Sequence, residues 1–160
     1  MYKIVADLKN TEELDIIERK IEKHLTKFHE DFTIQILWNV QAKTPLATGL
    51  HYKSIKGYVE LLGPPIWKSF IGSYLDTIKF VEYGRLPGGI PPISAIENWC
   101  IAVGINPDNA YQIAIAISQV GTMGKFMFMR GYGISKIQLD RKARQSFLQL
   151  YRELKDVVGT

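Results

Sequence analysis

The chain has one cysteine, three histidines and no long apolar run. A lone cysteine, Cys100, excludes an intramolecular disulfide and any cysteine-rich zinc site. The histidines are dispersed. His24 and His29 stand five apart on what reads as a helix, so they point away from each other, and His51 is isolated. A metal pair on a helix uses spacings such as i, i+4. No stretch approaches the roughly 20 apolar residues of a membrane-spanning helix. The opening Met-Tyr-Lys-Ile-Val-Ala-Asp has no signal-peptide core. A soluble protein made in a cytoplasm is expected. No Gly-x-Ser-x-Gly elbow occurs and no carboxylate pair stands out. Neither an enzyme, a cofactor, a metal nor a small-molecule substrate is expected.

Charge of one sign is also scarce. The net charge of +4 divides into −1 over residues 1–43, +2 over 44–134 and +3 over 135–160. The basic C-terminal segment could meet nucleic acid or an acidic protein surface, but so small an excess also suits a solvated helix face.

What is present is a core. Hydrophobic residues make up 46% of 160 residues, which suits one domain spanning 1–160. Its organising element is a helix over Asn10 to Lys43. Leu14, Ile17, Ile21, Leu25, Phe28, Phe32 and Ile36 recur in steps of three and four, one face at 3.6 residues per turn. Asn10 and Glu13 form a capping-box pattern, Glu12, Glu13 and Asp15 suit the positive end of the dipole, and Pro45 stops the helix. Its last third is apolar on more than one side, with Ile34 and Trp38 roughly opposite the main stripe. Either the chain's own strands and C-terminal helix cover that second side, or a neighbouring subunit does.

Residues 2–8 alternate like a half-buried strand. Thr44 to Gly49 is a breaker loop. Residues 52–62 and 66–71 read as an antiparallel hairpin turning at Gly63-Pro64-Pro65. Residues 74–83 fit a short helix or an extended edge. Gly84 to Pro92 holds three glycines and three prolines in nine residues, which makes it an exposed loop. Ser94 and Glu97 open a helix whose inner face is Ile96, Trp99, Cys100 and Val103, with Cys100 read as packing and Gly104 as the stop. Asn106-Pro107 caps a further helix with Ala110, Ile113, Ala114, Ile117 and Val120 inward, closed by Gly121; Ile113, Ile115 and Ile117 also alternate like a strand, but the interleaved alanines and the cap favour helix. Thr122 to Gly133 reads as an apolar loop, rich in Phe and Met. A last helix is expected from about Asp140 to Val157, with Leu139, Ala143, Phe147, Leu150 and Leu154 inward. Together these define an α+β fold: a long N-terminal helix packed on a small antiparallel sheet, with further helices in the C-terminal half.

Gly121-Thr-Met-Gly-Lys125 has the look of a phosphate loop, but the spacing is short and Phe follows the lysine, so no NTPase is expected. The same residues also match the GXXG loop of a KH nucleic-acid-binding module. That module joins two helices at the loop, whereas Phe126 to Gly133 does not read as a helix.

Five segments in order carry a family likeness. They are Thr44-Pro45-Leu46-Ala47-Thr48-Gly49, Ser54-Ile55, Phe80-Val81-Glu82-Tyr83-Gly84, the run from Pro91-Pro92 through Ile96, Trp99 and Gly104-Ile105, and Gly121-Thr122 through Phe126 to Arg130. The chain resembles the tail-component, neck or tail-completion proteins of long-tailed bacteriophages over roughly residues 12–155. It departs from the family pattern at Ala47, Leu50 and Arg85, and lacks the prolines that flank Phe126 there. The resemblance implies a structural virion protein of the head–tail junction, made in the host cytoplasm and acting by assembly. Its partners would be itself, as a ring-forming homo-oligomer, and other neck or tail proteins, with neither membrane nor nucleic acid expected. It makes Arg85, Leu86 and Ile90 of the Gly/Pro loop, and Phe126, Phe128 and Arg130 of the Phe/Met loop, candidate interface residues. The alternative is the KH-like module at Gly121 to Lys125.

Overall fold

A computed structural model describes residues 11–63 and 66–158. The strand expected over residues 2–8 and the cap expected at Asn10 lie outside the described residues. The protein is α+β, with a long N-terminal helix, a two-stranded antiparallel sheet and further helices toward the C-terminus. The elements are α1 (Thr11–Ala42), α2 (Leu50–Ser54), β1 (Ile55–Gly63), β2 (Ile66–Ser73), α3 (Ile78–Tyr83), β3 (Gly84–Arg85), α4 (Ile93–Val103), α5 (Ala110–Val120), β4 (Thr122–Met123) and α6 (Met127–Val158). They fall into two compact units, each assembled from separate stretches of chain.

Of the described residues, the first unit holds 11–35, 57–63, 66–70 and 135–158. Here α1 runs antiparallel to α6. Lys20 Nζ donates to the Glu153 carbonyl at 3.4 Å, His24 Nε2 meets Ser146 Oγ at 2.7 Å, and Gln35 bonds Gln138. On another side α1 packs on β2. Trp67 Nε1 donates to Thr26 Oγ1 at 2.9 Å, the Trp67 indole stacks on His29 at 5.8 Å, and Thr33 Oγ1 donates to Ser69 Oγ at 2.8 Å. The amphipathic stripe read in the sequence therefore lies where strand and helix both reach it. Leu150 and Leu154 are buried as expected, but Phe147 is exposed. At 100° per residue Phe147 is displaced from the line through His24's partner Ser146 and Leu150, which is the line that faces α1.

The second unit holds residues 36–56 and 71–134. Its fully buried side chains include Val40, Ser54, Ile55, Cys100 and Met127. Val40 packs against Gly131 of α6, so closely that a Cβ there would lie 2.6 Å from Val40 N. Thr44 Oγ1 donates to the Val40 carbonyl at 2.9 Å and to Met127 Sδ at 3.1 Å, which ends α1 against the start of α6. Ser54 and Ser73 hydroxyls meet at 2.7 Å.

Several expectations are corrected. Tyr52 to Ser54 are helical, and the strand begins at Ile55, because Gly49 in the left-handed region (φ 69) opens a short turn of helix. The ambiguous stretch 74–83 is helical only from Ile78. α4 starts one residue before Ser94, with Pro92 at its cap and no side-chain cap bond, so the Ser94–Glu97 capping box is not used. The segment 127–133 is not a loop. α6 begins at Met127, far ahead of Asp140, and carries Gly131 and Gly133 within it. The glycines read as breakers, but at Gly131 the missing side chain makes room for α1. Among the described residues nothing covers the second apolar side of α1: Trp38 is 67% exposed and Ile34 is exposed too.

Candidate functional site

The second unit is organised around one carboxylate. Glu82 sits on α3 within the apolar run Phe80-Val81-Glu82-Tyr83 and is only 5% exposed. Its Oε2 accepts the Phe128 amide at 2.9 Å and its Oε1 accepts the Met129 amide at 3.2 Å. Both amides belong to the first turn of α6, where backbone N–H groups lack helical partners and the dipole favours negative charge. The main chain reinforces the clamp. Lys125 N donates to the Val81 carbonyl at 2.7 Å and Phe126 N to the Glu82 carbonyl at 2.9 Å.

Beside the clamp, β3 and β4 pair antiparallel, Gly84 with Met123 and Arg85 with Thr122. The approach depends on Gly121 and Gly124. Gly121 has φ 73, and a Cβ on it would meet the Arg85 and Leu86 carbonyl carbons at 3.2 Å. A Cβ on Gly124 would lie 2.6 Å from the Tyr83 carbonyl carbon. The loop after β3 is pinned by Gly88 N donating to the Ser118 carbonyl at 2.7 Å and by Arg85 bonding the Gly89 carbonyl.

The ribbon carries an apolar exposed surface. Leu86 is 85% and Met123 91% exposed, and Tyr83 and Val120 flank them, also exposed. Gly84 pairs with Met123, so Leu86, two residues on, lies on the Met123 face of the ribbon, while Tyr83 and Val120 end α3 and α5 beside it in the chain. The six residues singled out in the sequence fall on this module. Arg85 is half-buried in β3, and Leu86 and Ile90 are exposed beyond it. Phe126, at φ 52, and Phe128 are half-buried at the start of α6, and Arg130 is exposed one turn on. The β3–β4 pairing thus joins the two segments that the sequence treated as separate loops.

The helix after Gly124 restores the helix–loop–helix order of a KH loop, contrary to the expectation from sequence. Gly121 packs against the backbone of Arg85 and Leu86, and Gly124 against that of Glu82 to Gly84. Sequence reasoning missed Glu82 as the organising residue. The available signal was a lone carboxylate inside an apolar segment directly before Gly84.

The histidines serve packing. Burial lowers the pKa of His29, stacked on Trp67, and of His51, whose Nε2 meets Thr77 Oγ1 at 3.1 Å. Among the described residues no group of three His, Cys, Asp or Glu side chains could hold a metal ion, and no helix is long and apolar enough to cross a membrane. Cys100 is fully buried. Comparison of the chain with family models, curated proteins and solved structures finds no match.

Proposed function

We propose that this chain is a structural subunit of a bacteriophage head–tail junction, a neck or tail-completion protein that works by oligomeric assembly and not by catalysis. The observation that carries the reading is the exposed apolar pair Leu86 and Met123 on one face of the ribbon, beside the Glu82 clamp. Exposed apolar groups gathered on a rigid module mark a surface made to be covered by another protein. The likeness to the neck and tail-completion family supports seeking that other protein at the head–tail junction. Three of the segments that carry the likeness meet at the first turn of α6: Thr44 on Met127, Glu82 on Phe128, and the Gly121–Arg130 segment itself. A ring of such subunits uses heterologous contacts that close on themselves, with Arg85, Leu86, Ile90, Phe126, Phe128 and Arg130 at or beside them.

Antibody labelling of purified particles tests the location. Label at the junction of head and tail is expected. Particles free of the protein would contradict the proposal.

A further inference from the structure

The segment between the two halves of the ribbon is almost without charge. From Gly84 to Ile134 the charged residues are Arg85, Glu97, Asp108, Lys125 and Arg130. Within α4, the connecting turn and α5, residues 93–120, they are Glu97 and Asp108, both exposed. The sequence pattern puts Trp99 and Val103 in a core, yet along this hairpin only Cys100, Ala110 and Ala114 are buried. Those small side chains are the buried positions of the α4–α5 pair. Ile101 is 65% exposed on the flank of α4 that carries Glu97, Trp99 and Val103 are exposed on the opposite flank, and Tyr111 is 61% exposed at the start of α5. Ile101, one turn after Glu97, thus stands on an exposed edge of α4 that is both apolar and acidic.

The charges say what covers it. The hairpin is apolar and carries only negative charge. An anionic bilayer would repel it, and it offers no cation to phosphate. The ribbon and the first turn of α6 are also apolar on the surface but carry only positive exposed or half-buried charge, Arg85, Lys125 and Arg130, because Glu82 is buried. We propose that the α4–α5 hairpin of one copy docks on the β3–β4 ribbon of a second copy, Glu97 and Asp108 meeting Lys125 and Arg130 around an apolar centre that includes Ile101 and Met123. The contact is head-to-tail, so every subunit uses both faces. The inference builds on the assembly reading above and names the partner surface for it.

Two single-site variants test it in purified protein, independently of any particle. Ile101→Cys and Met123→Cys are each oxidised alone and as a mixture, with the unmodified chain as blank because Cys100 is buried. Cross-linked dimer in the mixture and not in either variant alone is expected. Dimer from one variant alone would make the face self-complementary and overturn the proposal, as would absence of cross-linking throughout. Charge exchange supplies a second readout. Glu97→Lys with Asp108→Lys should weaken self-association by about tenfold or more, and mixing with a Lys125→Glu, Arg130→Glu chain should recover it. No recovery overturns the pairing. These outcomes are separable from the phage assignment, because cross-linking in solution can succeed while labelling of particles fails.

Discussion

Glu82 Oε2 accepts the Phe128 amide at 2.9 Å, which ties a short helix near the middle of the chain to the first turn of the last one. With Oε1 on Met129, one buried carboxylate serves two amides that would otherwise be unpaired. Glu82→Ala removes both acceptors, and because the bonds are part-buried and Met129 is exposed, the loss lies at the low end of the about 1–3 kcal/mol for an unpaired buried donor. Urea unfolding should therefore place Glu82→Ala about 1–2 kcal/mol below wild type, with Glu82→Gln losing less because one acceptor oxygen remains. Equal stability of Glu82→Ala and wild type would remove the clamp from the account.

Gly131 and Gly133 make a matched pair within α6. Alanine in a helix interior ordinarily gains about 1 kcal/mol over glycine. At Gly133 nothing lies within 4 Å of the added Cβ, so Gly133→Ala should raise the melting temperature. At Gly131 the Cβ would meet Val40 at 2.6 Å, so Gly131→Ala should lower it, overpacking costing about 1–3 kcal/mol. Two stabilising substitutions would mean that α1 and α6 do not approach this closely.

Burial holds the His29 and His51 pKa values below 6.5, so the unfolded chain takes up protons at these sites before the folded one does. Stability contributed by the neutral rings is present above pH 6.5 and is lost as pH falls through that value and below it. Melting curves between pH 7.5 and 5.5 should show a small downward trend. His29→Phe, which keeps an aromatic ring against Trp67, combined with His51→Asn should flatten it. An unchanged slope in that double variant would assign the trend to other groups.

Leu86→Asp and Met123→Asp alter side chains that are 85% and 91% exposed. Both variants should fold with wild-type melting temperature and fail to assemble, read by complementation of a phage lacking the gene product. Phe128 is half-buried beside the clamp, so a charge there would mix assembly with folding. Normal complementation by both exposed variants would take the ribbon out of the interface.

Much of the fold was legible because it rests on local rules. The steps of three and four from Leu14 to Ile36 placed α1, and Gly104 at φ 78 does end α4, whereas Asn106 accepts the Asp108 amide at 3.1 Å to cap a 3-10 turn over Pro107–Asn109 and α5 begins only at Ala110. The errors have one cause, which is tertiary use of residues with strong local habits. Gly131 and Gly133 read as loop, yet α6 runs through them because Val40 needs the space at Gly131. Ser94 had the right neighbours for a cap, but α4 begins before it. Periodicity marked Trp99 and Val103 as core, and it cannot say whether the core lies within one chain. The candidate residues were legible as two loops. Their union was not, since the Arg85–Thr122 pairing spans a stretch whose length carries no signal of closure.

The central claim is that the protein joins heads to tails by assembly, and electron microscopy of phage particles made without it tests that most directly. Filled heads beside separate tails of normal length are the predicted result. Normal, infectious particles would contradict it and move the Gly121–Lys125 nucleic-acid alternative to the front.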